Sequence, residues 1–256
     1  MTNQNGVIDY SQKTAKRDSS LKISLEDVIS KEQEVVLLPN EIKDVIFTLQ
    51  MPENSFEGMI LGGFYISQKE EENEEKNTDK NVQIKNNFSY VIGIKLRQNL
   101  DDVNPDLKLN QIKPDLVNYR TVVTANLQNT EATIIRELDV EAKVTKKGDS
   151  SFLRETNKSN LSMAPNSNFN FPISWDNQPL DQGEYTLQLV AKSGENEWKF
   201  SQDFVIDSND SNSLNKEAVD LEKKEPNWTL IGSALILGLA LVVAINLKRK
   251  ATGKKE

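Results

Sequence analysis

The sequence contains neither cysteine nor histidine. Without cysteine there is no disulfide frame, no thiol nucleophile and no zinc–thiolate centre. Without histidine the commonest general base and metal ligand is missing. No metal or cofactor site is therefore expected. Glycine and proline are sparse, at 11 and 8 of 256 residues, which sets aside collagen-like and wholly disordered classes. The net charge is −8 and no basic, aromatic-interleaved patch stands out, so nucleic acid is not an expected partner. No Gly-x-Ser-x-Gly elbow or Walker loop occurs. With 39 aspartates and glutamates, chance pairs of carboxylates carry no information about glycosidase-type chemistry. The expectation is a protein that is not an enzyme.

What is present begins with one uncharged run. From Trp228 the chain reads WTLIGSALILGLALVVAINL, up to Leu247. As a helix this run spans roughly 30 Å, the thickness of a bilayer's hydrocarbon core. Trp228 stands where an interfacial aromatic belongs, and Lys248, Arg249 and Lys250 follow directly. The positive-inside tendency predicts a single-pass plasma-membrane protein with residues 1–227 outside and a basic tail, 248–256, in the cytoplasm. A buried core helix is the alternative, but such a helix seldom runs this long without a polar face. Residues 1–10, MTNQNGVIDY, show no signal-peptide apolar region, so the export signal is expected upstream of this start.

The rest of the chain is patterned with a period of two, the mark of half-buried antiparallel strands. Val35 and Leu37 share a face, as do Val45, Phe47, Leu49 and Met51, and then Phe88, Tyr90, Ile92, Ile94 and Leu96. Between such runs lies KEEENEEKNTDKN at 69–81, read as a solvated hairpin tip; weak calcium binding is the sharper alternative, although the EF-hand spacing is missing. Further on, Val123, Ala125 and Leu127 alternate, as do Leu138, Val140, Ala142 and Val144, and Tyr185, Leu187, Leu189 and Ala191. Trp198 and Phe200 continue the pattern, with a bulge expected before Phe204 and Ile206. These spacings predict an all-β sandwich. Asp181-Gln182-Gly183-Glu184-Tyr185 has the form of a tyrosine corner, which makes Tyr185 a structural residue. The polar stretch 208–227 reads as a flexible stalk.

Two segments are candidates for ligand contact. FEGMILGGFY contains Phe56, Gly58, Gly62, Gly63 and Tyr65; its glycines mark either a bulged strand or a surface open to an extended peptide or glycan. SMAPNSNFNFP contains Asn166, Asn168 and Asn170 and reads either as a loop entering a strand or as an amide-rich contact.

NGVIDYS at 5–11, FEGMILGGFYIS at 56–67, FSYVIGIKLR at 88–97, PDLKLNQIKP at 105–114, ATII at 132–135, MAPNSNFNFPISW at 163–175 and GEYTL at 183–187 together resemble the WxL-interacting proteins of low-GC Gram-positive bacteria. The resemblance implies a peptidoglycan-binding domain followed by a host-binding domain, both Ig-like sandwiches, acting at the cell surface beside WxL-domain proteins. It places the C-terminal part of the first domain at 1–100, lacking its opening strands, and the host- or partner-binding domain at 105–207. The stalk at 208–227 and the membrane helix at 228–247 would follow. The expected partners are peptidoglycan and WxL-domain or host extracellular proteins. A sensor signalling through a transmembrane partner is the rival, and the short tail speaks against it.

Overall fold

The computed structural model describes residues 1–11, 17–69 and 88–222. Met1–Asp220 forms one compact unit. The elements are a one-turn helix α1 (Leu25–Val28), β1 (Ile60–Ser67), β2 (Ser89–Leu96), β3 (Leu107–Val117), β4 (Arg120–Asn129), β5 (Ile135–Lys146), β6 (Phe152–Met163), β7 (Ser167–Ser174), β8 (Gly183–Ser193), β9 (Asn196–Ile206) and helix α2 (Ser208–Glu217). The described residues are therefore mainly β-structure, as expected.

Strands β3 to β9 build two antiparallel sheets, ordered β3-β4-β7 and β6-β5-β8-β9, that share one core. The alternating residues of β4, β5 and β8 supply it: Val123, Ala125 and Leu127; Leu138 to Val144; Tyr185 to Ala191. Phe169, Phe171 and Ile173 of β7 close it from the smaller sheet. The β3–β4 hairpin turns through Asn118 and Tyr119, both at positive φ, the conformation that matches the right-handed twist of the flanking strands.

Tyr185 lies at the centre. Its ring stacks on Phe204 at 5.5 Å and meets Trp175 edge-on at 5.7 Å, and its hydroxyl donates to the Asp181 carbonyl at 2.7 Å. Burial, with the nearby Asp181 carboxylate adding to it, pushes the phenol above its ordinary pKa. Tyr185→Phe keeps the packing and deletes only that bond, so unfolding in urea is expected to show a loss of about 1 kcal/mol. An unchanged midpoint would mean that the bond contributes nothing.

β9 corrects one expectation. Its pairing with β8 is unbroken from Gly183–Ile206 to Ser193–Asn196, so there is no bulge before Phe204. Trp198, Phe200, Gln202, Phe204 and Ile206 keep one parity, and Gln202 takes the polar place in that row. It reaches across the sheet boundary and donates to the Asn110 carbonyl of β3 at 3.2 Å. The opposite edge is closed in the same way. On β6, Arg154, Thr156 and Lys158 pair with Val144, Ala142 and Val140 and so share their core-facing side. Arg154 lies over the Trp175 ring, Thr156 accepts from the Ser174 amide, and Lys158 lies over Phe171. Burial lowers the Lys158 pKa. An inward-pointing cation on an edge strand discourages pairing with another chain.

The first 100 residues depart further from the sequence reading. β1 and β2 form a two-stranded sheet with continuous pairing from Ile60–Leu96 to Ser67–Ser89, so the glycine-rich strand carries no bulge. Its small core is Leu25, Val28 and Ile60, with Ile23, Ile29, Phe56, Ile94 and Leu96 against it. Helix α1, which the period-two pattern did not indicate, supplies two of those residues. The runs around Val35 and Val45 form no regular strand; only an isolated bridge joins Ile29 to Leu49. Alternation yields a strand only where another strand pairs with it, and no named strand pairs with these segments. The row expected along β2 is split although β2 is paired throughout, because only its far end is covered by the small core. Ile94 and Leu96 pack on the small core, whereas Phe88 and Tyr90 stand 76% and 71% exposed.

The segment read as a stalk is corrected in its first half. Residues 208–217 are helical, and Asp207 caps the helix by accepting from the amides of Asn209 and Asp210 at 2.8 Å. Asn215 brackets the backbone of Leu180, accepting from its amide at 2.8 Å and donating to its carbonyl at 2.9 Å, and Leu214 packs on the core. The Asp, Asn and Ser that resemble chain breakers thus serve as cap and dock. Among the described residues no helix is long and apolar enough to cross a membrane. The expected span at 228–247, with Trp228, the basic tail and residues 70–81 of the charged loop, lies outside the described residues.

Candidate binding surface

The glycines of β1 face other parts of this chain. A Cβ at Gly62 would lie 2.4 Å from Leu25, and one at Gly63 would lie 3.1 Å from the Tyr10 ring. Gly58 abuts Ala132, whose carbonyl accepts the Met59 amide at 2.8 Å. These glycines admit α1, Tyr10 and the segment before β5 close to the strand. Phe56 is half-buried against the small core, and its amide donates to Gln98 at 2.7 Å. Tyr65 alone of this group presents a large side chain to solvent, at 49% exposure.

The asparagines belong to a different surface. Asn166 leads into β7 at positive φ and donates to the Thr130 carbonyl at 2.8 Å, which fixes the turn. Asn168 and Asn170 lie on the outer face of the three-stranded sheet, since their neighbours Phe169 and Phe171 point into the core. Directly across on β4 stand Gln128 and Asn126. Asn110 of β3 completes a row of five amides across three strands.

One carboxylate orients this row. Asp18, from the segment preceding α1, accepts from Gln128 at 2.7 Å and, through a short bond, from Asn168. Its oxygen Oδ1 also accepts from the amide and hydroxyl of Ser20, at 2.9 and 2.7 Å, which closes a tight Asp-Ser-Ser turn. Burial opposes ionisation of Asp18 and is the largest single influence. The donors from Asn168, Ser20 and Gln128 together outweigh it, so the pKa is lowered and the group is an anion at neutral pH.

An ionised carboxylate only accepts, so both amino groups must face it. The amide oxygens of Gln128 and Asn168 then point back into the row. Gln128 accepts from Asn110 at 3.0 Å, and Asn168 and Asn170 accept from Asn126 at 3.0 and 2.8 Å. Asn126 in turn accepts from Asn110 at 3.0 Å. Each bond between amides thus runs from β3 towards β7, and the row ends in the N–H groups of Gln128, Asn168 and Asn170. The amino group of Asn170 has no partner among the described residues, and Lys108, directly opposite Gln128, has no ion pair among them. The surface is built to receive a hydrogen-bond acceptor, best an anion.

The sequence candidates Asn168 and Asn170 fall on this surface; Asn110, Asn126, Gln128 and Asp18 were missed. The legible signal was the parity of β4, where Asn126 and Gln128 interleave with the core residues Ala125 and Leu127. Asp18 lies 110 positions from Gln128 and left no such signal. Among the described residues no cluster of acidic side chains could hold a metal ion.

Comparison with known protein families gives two matches. The family model for the WxL Interacting Protein, host binding domain, matches residues 79–216, and that for the WxL Interacting Protein, peptidoglycan binding domain, matches residues 1–68. No curated protein and no solved structure matches the chain. The amide row, β3 to β9 and α2 up to Lys216 fall in the first match, and α1 and β1 in the second.

Proposed function

The chain belongs to the WxL-interacting protein family, and from that premise we propose that it is a non-catalytic protein of the Gram-positive cell surface that joins peptidoglycan to a protein partner. The observation that carries this reading is the pair of matches to two binding domains, which between them take in 1–68 and 79–216. The first part, through residue 100, would contact peptidoglycan, with Tyr65 as the exposed aromatic; Phe56 packs on the small core, and Gly58, Gly62 and Gly63 hold the segment against its own neighbours. The second part, 105–207, would take a WxL-domain protein or a host extracellular protein. We read its two sheets as an Ig-like sandwich, supported by the split into three and four strands and by the Tyr185 bond at the start of β8. The uncharged run from Trp228 to Leu247 and the basic residues after it support a membrane anchor with the C-terminus in the cytoplasm.

The test is co-sedimentation of the purified ectodomain with cell-wall sacculi and capture of a WxL-domain protein. Binding to both is expected, with Tyr65→Ala reducing only the first. An ectodomain that binds neither removes the proposal.

A further inference from the structure

We propose that the amide row on the outer face of β3-β4-β7 is a binding site for an aspartate-bearing turn of a partner polypeptide, and that residues 17–20 of this chain occupy it as an internal stand-in.

The row is directional. Its donors run from Asn110 through Asn126 to Asn168 and Asn170, and those of Gln128 and Asn168 converge on one carboxylate. Hydrogen bonds aligned in this sense polarise one another, so the terminal N–H groups are stronger donors than isolated amides. The site is not filled by what occupies it. Asn170, two residues along β7 from Asn168, keeps an amino group with no partner among the described residues, and Lys108, paired with Gln128, has no counter-ion among them. A ligand with its own carboxylate and one further acceptor would satisfy both.

The occupant shows which shape fits. Asp18 arrives in a turn whose Ser20 amide and hydroxyl hold one carboxylate oxygen, so the group is presented rigidly to the amides. Beyond that carboxylate, the hydrogen bonding of this turn to the sheet is one long contact, Gln128 to the Ser19 hydroxyl at 3.4 Å. Arg17 is bound to Asp27, on the N-terminal segment's own side, and not to the sheet. A segment held mainly through one side chain is exchangeable. A partner with the same turn competes with it, against an effective concentration in about the millimolar range for a tethered ligand. The surface therefore selects for a partner able to displace an internal copy of its own recognition element.

This assignment deepens the partner-binding reading of residues 105–207 and depends on it only for the origin of the ligand; the assay below uses neither sacculi nor a WxL protein, so the two can fail separately. The probe is the capped hexapeptide RDSSLK, copied from residues 17–22, titrated into the full chain and followed calorimetrically. The Asp18→Ala chain, whose site is vacated, is expected to bind it about tenfold or more tightly than the unaltered chain. The same peptide with asparagine for aspartate is expected to bind neither. Adding Asn168→Ala to Asp18→Ala should abolish binding, and because Asn168 is exposed its loss leaves the core intact. A second readout needs no substitution. Excess peptide should speed tryptic cleavage after Arg17 in the unaltered chain by lifting the turn from the sheet. Equal binding of the aspartate and asparagine peptides, or no binding to Asp18→Ala together with no change in cleavage at Arg17, overturns the proposal.

Discussion

Trp175→Ala is expected to cost the two-sheet unit about 3–5 kcal/mol. The indole is 2% exposed and stands edge-on to the Tyr185 ring at 5.7 Å, while the Arg154 guanidinium covers it at 5.4 Å. Alanine removes the side chain that separates the two. The void cannot collapse readily, because the Trp175 backbone is held on both sides: its amide donates to the Thr121 carbonyl at 3.1 Å, and its carbonyl accepts from Arg154 at 3.1 Å and from Gln178 at 3.0 Å. Arg154 also loses the aromatic face that makes a half-buried cation tolerable at the sheet edge. Against a typical total of about 5–15 kcal/mol, a loss of this size removes a large share of the folded population's margin. The measurement is the urea midpoint with the slope checked for constancy, beside Phe152→Ala, an exposed aromatic expected to cost under about 0.5 kcal/mol. A Trp175 loss as small as the Phe152 loss would mean that the indole is not a core anchor.

What the sequence revealed divides along a physical line. Core residues of the two-sheet unit such as Val140, Leu187 and Leu189 were legible because each strand there has a neighbour and a covered face, so local alternation and global burial agree. The Tyr185 corner was legible because its bond spans four positions. In the first 100 residues the same alternation was present at Val35 and Val45, yet with no named strand to pair with, the pattern ran ahead of the structure. Asn215 was misread as stalk because its side chain bonds backbone, at Leu180; the composition is the same for a dock and a flexible linker. The binding surface was half legible. Asn168 and Asn170 lie in one short string, whereas the carboxylate that orients them comes from the other end of the chain, a contact that no local pattern encodes. The glycines of β1 were read as a bulge or a surface open to an extended ligand; the strand has no bulge, and the groups that approach Gly62 and Gly63, Leu25 and Tyr10, belong to this chain.

Gly58→Val is expected to unfasten the junction between the two family-matched segments while leaving the two-sheet core folded. Gly58 lies in the segment matched to the peptidoglycan-binding domain, and its neighbour Ala132 in that matched to the host-binding domain. At φ +75° a β-branched side chain is strained by about 1–2 kcal/mol before any contact is considered. Its Cβ would also lie 2.3 Å from the Ala132 carbonyl oxygen and 2.8 Å from the Ala132 Cβ, and a backbone oxygen cannot swing aside as a flexible side chain does. Relief requires the segment leading into β1 to move, and moving it breaks the 2.8 Å bond from the Met59 amide to that same oxygen, worth about 1 kcal/mol more. The sum, about 2–3 kcal/mol before the clash itself is counted, exceeds what a two-stranded sheet on a three-residue core can absorb, so local release is favoured over strain held in place. Gly148→Val supplies the control: φ is +81° there, but nothing lies within 4 Å of the added Cβ, so only the backbone strain remains. Hydrogen exchange reads the difference. In Gly58→Val the Met59 amide should lose its protection while Leu187 and Leu189 of β8 keep theirs; in Gly148→Val the Met59 amide should be unchanged. Full protection of Met59 in Gly58→Val would show that the contact with Ala132 does not fasten β1 to the rest of the chain.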